Sequence, residues 1–448
     1  MKLSKRTIAF TALICELGIL PAYAVTPEEA AKLKTTLTPM GAERAGNADG
    51  SIPAWTGEAP KRPAGLKTGN HTAAPFPDEK PLYQISGANM EKYAGKLSEA
   101  TKHLMRTYPD YRLDVYPTHR TATAPQSVYD STFKNATNAK LTKGGMALEG
   151  AHGGLPFPIP KSGIEAIWNL YLSWKGVTVS TVYNMWLVTS DGKQSLASVI
   201  DITEQYPYYN PKMDATTAKG VYWEHKGVTT APSRSVGEAI IGIWSTDFKD
   251  KDPGSWQYLP GQRRVRKIPN VSYDTPNFYM SGVTQFDEAY GFFGKPDQME
   301  FTIVGKKEMY VPYNNNKFNA TAPQQAFGPH FPKPENVRWE LHRVWEVDVK
   351  LKPGMRNVVP KRKLYFDEDT WSVLLADEWD AQGKLYRGLV SYPFVSYDLP
   401  GVIALPFITF DFQSRAYSVA GFVQDYKSIP YKPASFFNPD SMVQDALR

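Results

Sequence analysis

Residues 337–351 read VRWELHRVWEVDVKL, and their alternation decides the fold. Val337, Trp339, Leu341, Trp345, Val347, Val349 and Leu351 fall on one face, and Arg338, Glu340, His342, Glu346, Asp348 and Lys350 on the other. Period-two patterning rich in β-branched and aromatic residues marks a half-buried strand. At about 3.3 Å per residue it runs roughly 50 Å, far beyond an ordinary strand, so it must bend or coil. Pro353-Gly354 turns the chain into 357–366, a turn at 367–370 leads to 371–379, Gln382-Gly383 leads to 385–391, and 407–419 adds a last strand. Upstream, 177–189 and 194–203 flank Asp191-Gly192, a dipeptide that tolerates the positive φ of a tight hairpin. Short turns between successive strands make an antiparallel meander, and no period points to a solenoid or propeller. The expected architecture is mainly β with α+β character: one large curved antiparallel sheet, a partial barrel with helices packed on its concave face.

Three helices are expected. Thr26, Pro27 and Glu29 form a capping box at the first. Tyr93, Leu97, Ala100 and Leu104 recur at helical spacing over about 87–106, before Pro109. Ser162 and Glu165 box the third, where Ile164, Ile167, Trp168 and Tyr171 make one apolar stripe. Each stripe packs on the sheet or serves as a lid over a ligand. Residues 25–82, rich in Gly, Pro and Ala beyond the first helix, read as an irregular N-terminal wrap around a single domain of residues 83–448.

Lys2, Lys5 and Arg6 precede a mostly apolar run ending at Leu20, and Ala22-Tyr23-Ala24 supplies small residues for cleavage, so residues 1–24 read as a signal peptide removed after Ala24. Cys15, the only cysteine, lies inside it, and Ile14 before it does not fit a lipidation signal. The mature chain, without thiols, can form neither disulfides nor thiolate metal sites. It keeps 48 basic against 44 acidic residues, a net +4. Nothing in an exported chain with one short basic strand, RRVRK at 263–267, indicates nucleic acid. Anionic lipid head groups or an acidic protein surface suit that strand better.

The chain lacks His-Glu-x-x-His, Gly-x-Ser-x-Gly, a Walker loop and a dinucleotide Gly-rich turn. Its seven histidines show no helical metal spacing, and neither metal nor cofactor is expected. Asp367, Glu368 and Asp369 read as a solvated turn, without the pattern of a calcium loop. Asp377 and Glu378 point to opposite faces of one strand and cannot converge on one substrate. No catalytic residue is expected.

Arg343 lies on the apolar strand face between Leu341 and Trp345, where an unpaired guanidinium costs several kcal/mol. Counting about Pro353-Gly354 sets Leu364 opposite it and leaves Asp377 roughly 13 Å away. Its partner is then a helix carbonyl, a distant carboxylate, water or an anionic ligand. Trp339, Leu341, Arg343, Trp345 and Val347 are the candidate ligand-contacting residues, unless this face is simply filled core.

WQYLPGQRRVRKIPN from Trp256, with YDTP and GKKEMYVPYN after it, resembles the exported lipoprotein-sorting-like proteins related to LolA and LolB. LTPMGAERAGNADGSIPAWTG (37–57), TYPDYRLDVYPTHR (107–120), GGLPFPIPKSGIEAIWN (153–169) and RWELHRVWEVDVKLKPG (338–354) extend the match to a Gram-negative family described as a domain of unknown function. The resemblance implies a periplasmic, non-enzymatic carrier or adaptor that binds a lipid or other hydrophobic molecule for transfer to or from the outer membrane. Its implied partners are an outer-membrane protein and a resistance-nodulation-division exporter. An envelope interaction protein with a filled core is the alternative, and a hydrolase or carbohydrate-binding protein the third.

Overall fold

The computed structural model describes residues 25–269, 271–280 and 282–445, so the expected signal segment lies outside the described residues. Sixteen strands form one open sheet: β1 (Tyr83–Ser86), β2 (Arg112–Val115), β3 (Thr178–Val188), β4 (Gln194–Gln205), β5 (Val221–Ala231), β6 (Ala239–Ser245), β7 (Gly254–Leu259), β8 (Arg264–Lys267), β9 (Met299–Pro312), β10 (Trp339–Leu351), β11 (Lys361–Asp367), β12 (Val373–Trp379), β13 (Leu385–Ser391), β14 (Phe407–Asp411), β15 (Ala416–Phe422) and β16 (Tyr426–Ser428). The order is β1-β2-β10-β11-β12-β13-β14-β15-β3-β4-β5-β6-β7-β8, with β9 beside β10 and β16 beside β3. Two antiparallel meanders, β3–β8 and β9–β15, are joined where Val419 of β15 faces Trp186 of β3. Pairing is antiparallel except for Trp339 against Val115, which runs parallel and makes the sheet mixed.

The hairpin at Asp191-Gly192 forms as its sequence requires, with Gly192 at φ 79°. The register about Pro353-Gly354 differs from a count through a tight turn. Lys350 faces Lys361, so residues 351–360 form a wide loop, Leu364 lies opposite Val347 rather than Arg343, and Arg343 meets the end of the hairpin. There its carbonyl accepts the Glu368 N–H at 3.3 Å.

Both sheet faces are covered. Leu364, Ala376 and Leu389 join one buried cluster, and their immediate neighbours Tyr365, Leu375 and Val390 join another, as alternation across a pleated sheet demands. Helix α4 (Gly163–Tyr171) packs in the first, whereas α2 (Glu99–Thr107) packs in the second, on the opposite face. Helices are therefore not confined to the concave side. The single helix expected over 87–106 is broken. Met90–Lys96 is a 3₁₀ segment, Leu97 is extended, and Ser98 caps α2 by accepting the Thr101 N–H at 3.1 Å. Asp377 accepts the Glu99 and Ala100 N–H groups at 2.9 and 2.7 Å, placing a carboxylate on the positive end of α2. The box at Thr26 caps α1 (Pro27–Ala31), but the Ser162 side chain makes no cap bond to α4. Helix α3 (Gln126–Asn138), polar and without a strong stripe, escaped the sequence reading.

Residues 25–82 drape across this body. Val25, Ala30 and Leu33 pack with Ala136 of α3, and His71 stacks on Phe394 with centroids 3.5 Å apart. Among the described residues no helix is long and apolar enough to cross a membrane.

Gly388 of β13 lets α2 lie close against the sheet: a Cβ there would sit 2.3 Å from the Ala100 Cβ. Gly388→Ala is expected to push α2 off and cost about 1–3 kcal/mol in urea unfolding.

Candidate functional site

The carboxylate turn after β11 is buried, contrary to its reading as a solvated loop: Asp367, Glu368 and Asp369 are 0, 2 and 5% exposed. Buried carboxylates need partners, and they draw them from across the chain. Arg120 forks onto Asp369 at 2.9 and 2.6 Å. Glu368 accepts from Arg343 Nη1 and Lys306 Nζ, each at 3.1 Å, and from the Glu43 N–H at 3.2 Å. Asp367 accepts from Tyr313 Oη at 3.0 Å and Thr370 Oγ1 at 2.7 Å. Burial, with Asp369 beside it, pushes the Asp367 carboxyl up to about 6. Arg343 also donates to the Ala45 carbonyl at 2.5 Å, so both a distant carboxylate and a backbone carbonyl of the N-terminal segment satisfy it.

Next to this turn, burial alone would raise the Glu340 carboxyl, but the His342 hydrogen bond at 3.0 Å and the Arg338 charge outweigh it and bring it down to about 2. His342, Asp367 and Asp369 place ligand atoms within 4.8 Å of one another, a geometry open to a metal ion. Arg120 already supplies the cation there, so the trio reads as part of the ionic cluster.

The other strand residues are equally enclosed. Trp339 and Leu341 are buried in the α2 cluster, Val347 in the α4 cluster, and half-buried Trp345 lies between Lys306, 4.8 Å from its ring, and Trp371, stacked at 5.9 Å. None of the five lines the cavity described next or the two beside it.

That cavity, about 110 Å³, lies on the β3–β6 half of the sheet and is lined by Ile200, Trp223, Ile240, Trp244, Tyr279 and Phe293 among others. Alternation along β3, β4 and β6 supplies its apolar wall. Period-two patterning was visible for β3 and β4, but which strands remain incompletely filled depends on what covers them. The cover is formed by residues 271–280 and 282–293, with the 3₁₀ turns Phe278–Met280 and Phe286–Gly291. It is held by buried charge. Arg362 Nη2 bonds Asp287 Oδ2 at 2.8 Å, and Arg387 bonds Glu288, Gln285 Oε1 at 2.7 Å and the Val283 carbonyl at 2.9 Å. Glu378, beside both arginines, is pushed up to about 8 by burial and by Glu288.

At one end the cavity meets two smaller ones, of about 30 and 10 Å³, which share Lys175, Glu204 and Tyr290. Burial pushes the Lys175 ammonium down to about 8; it donates to Ser173 Oγ at 2.6 Å. Glu204 accepts from Tyr206 Oη at 3.0 Å and lies 3.6 Å from His225 Nδ1. The buried hydroxyls of Tyr222 and Tyr279 have no hydrogen-bond partner. The arrangement is an apolar chamber with a small polar end. Asp377 and Glu378 do point apart, the first toward α2 and the second toward Arg362.

An open, two-sided β-sheet with a covered apolar chamber is the class defined by fold and site. The chain belongs to a family described as protein of unknown function (DUF1329), whose model matches residues 84–443. An uncharacterized Pseudomonas aeruginosa protein is 38% identical over 385 residues, covering 84% of this chain and 83% of that one. Among solved structures, a putative outer membrane lipoprotein-sorting protein domain from Vibrio parahaemolyticus is 13% identical, covering 63% of this chain and 98% of its own at a TM-score of 0.42. A DUF1329 family protein from Desulfovibrio piger is 12% identical, covering 62% and 95% at 0.43. A LolA superfamily protein from Nitrosomonas europaea is 9% identical, covering 63% and 100% at 0.37.

Two outcomes follow from this chemistry. Arg120→Leu strands Asp369 and is expected to cost about 3–5 kcal/mol, whereas Arg343→Leu leaves Glu368 with Lys306 and Arg120 and costs less; chemical denaturation of both variants compares them. The Lys175 pKa is depressed in the folded state, so at this residue the unfolded chain binds more protons between about pH 8 and 10.4, and the Lys175 contribution to stability rises with pH across that window. Lys175→Met is expected to melt higher than wild type at pH 7, with the gap closing as the pH approaches 10.4.

Proposed function

We propose that this protein is a non-enzymatic carrier of the cell envelope that holds a lipid or other hydrophobic molecule in the chamber beneath residues 271–280 and 282–293. The observation that carries this reading is the unfilled apolar space of about 110 Å³ between β3–β6 and its cover. Proteins ordinarily fill such space, and a dry apolar void of about 150 Å³ takes up benzene. At this volume the chamber admits a ring or a few carbons of a chain. Drug-sized ligands need roughly 300–1,000 Å³, so larger cargo extends beyond the chamber or displaces the cover. The cover is poorly suited to permanent closure, since its hold rests on ion pairs and carbonyl contacts to Arg362 and Arg387 more than on regular secondary structure. Trp339, Leu341, Arg343, Trp345 and Val347 act in this reading as the frame behind the chamber.

The family resemblance adds a periplasmic location after removal of residues 1–24, and delivery to or from the outer membrane with an outer-membrane protein and a resistance-nodulation-division exporter as partners. The small resting volume equally favours the second reading, an envelope interaction protein whose interior is essentially filled.

Brominated fatty acids quench tryptophan on contact, and Trp223 and Trp244 line the chamber. Titration is expected to give saturable quenching that Ile200→Trp, by filling the space, reduces at least tenfold. No saturable quenching with any amphiphile would transfer the assignment to the interaction protein.

A further inference from the structure

The basic strand β8 has no part in the chamber. It is the last strand of the sheet and, among the described residues, pairs only with β7, while the short helix Ser441–Asp445 packs beside Val265. Arg263, Arg264, Arg266 and Lys267 are all exposed. Among the described residues no carboxylate lies within ion-pair distance of any of the four; Arg266 instead donates to Gln257 Oε1 at 3.2 and 2.8 Å. This contrasts with Arg120, Arg343, Arg362 and Arg387, each of which has an acid. Arg263 moreover holds φ at 48°, a left-handed conformation that glycine adopts at less cost.

A second hairpin tip lies against this one. A Cβ at Gly237 would be 3.2 Å from Pro260 Cγ, so the β5–β6 tip, with exposed Arg234, touches the β7–β8 turn. Between them Val236 stands 51% exposed, with Leu259 and Pro260 half-exposed beside it. The carboxylate that feels Arg234 is Glu238, whose acidity is otherwise weakened by partial burial. The two tips thus present an apolar point rimmed by cations.

We propose that these paired tips dock the protein on an anionic phospholipid surface. An acidic peptide added as a further strand fits less well, because β8 offers only four residues and its cations are spread over both strand faces and the turn. A plane of negative head groups meets all of them at once, while Val236 reaches the interfacial region. Each basic residue near such a surface strengthens binding about fivefold, the equivalent of about 1 kcal/mol. Four or five cations therefore give weak, reversible attachment. The docking proposal stands or falls independently of what the chamber holds.

The test is co-sedimentation of the purified protein with vesicles of phosphatidylglycerol and phosphatidylcholine, and with phosphatidylcholine alone, at low and high salt. Binding is expected on the anionic vesicles only, released by salt. Arg264→Gln/Lys267→Gln is expected to weaken it about 25-fold, and Val236→Asp to weaken it further, both with unchanged melting temperature. Failure of the wild type to bind anionic vesicles at low salt, equal binding to neutral ones, or undiminished binding by the double variant would overturn the proposal. An Arg234→Gln variant, outside β8, gives an independent reading: it should lose about fivefold, and no loss counts against the paired-tip geometry.

Discussion

Three consecutive buried carboxylates, Asp367, Glu368 and Asp369, impose the constraint around which one half of the molecule is arranged. Charges removed from water must be neutralised by groups held in place, and a tight turn cannot supply these itself. Arg120 arrives from the segment after β2, Lys306 from β9, Arg343 from β10 and Tyr313 from just beyond β9. The Glu43 N–H and the Ala45 carbonyl bring in the N-terminal segment, so an otherwise core-poor wrap is fastened by the same cluster. Removing Arg120 strands Asp369, whereas Glu368 is shared among Arg120, Arg343 and Lys306.

The same meander, β9–β15, uses buried charge a second time, differently. Arg362, Glu378, Arg387 and Asp411 stand opposite one another on four neighbouring strands, a cross-strand row of alternating sign. Asp287 and Glu288 of the cover complete the row from above. Such pairing fixes position while gaining little over apolar packing. A cover held in this way closes in one register, and its Tyr279, Met280 and Phe292 pack into the same apolar core. Chamber wall and basic tips belong to the β3–β8 meander, while the β9–β15 meander carries the ionic cluster and, through Arg362 and Arg387, holds the cover.

Sequence alone determined the meander and its turns, because alternation and Asp-Gly or Pro-Gly punctuation are local properties. Val337–Leu351 reads as a strand whatever surrounds it, and Thr26 caps α1 through contacts three residues away. The Arg343 anomaly was equally legible: a guanidinium among Leu341 and Trp345 must find a partner. That the partner would be Glu368 was hidden by the loop at 351–360, which shifts the register by four residues relative to a tight turn. Only tertiary structure decided where the sheet stays unfilled. Apolar strand positions look alike on β4, β6 and β10, and whether a helix or an irregular cover lies above them is set by segments distant in sequence. The same holds for burial of the carboxylate turn and for the bareness of RRVRK: charge is written in the sequence, but its neutralisation depends on what the fold brings near.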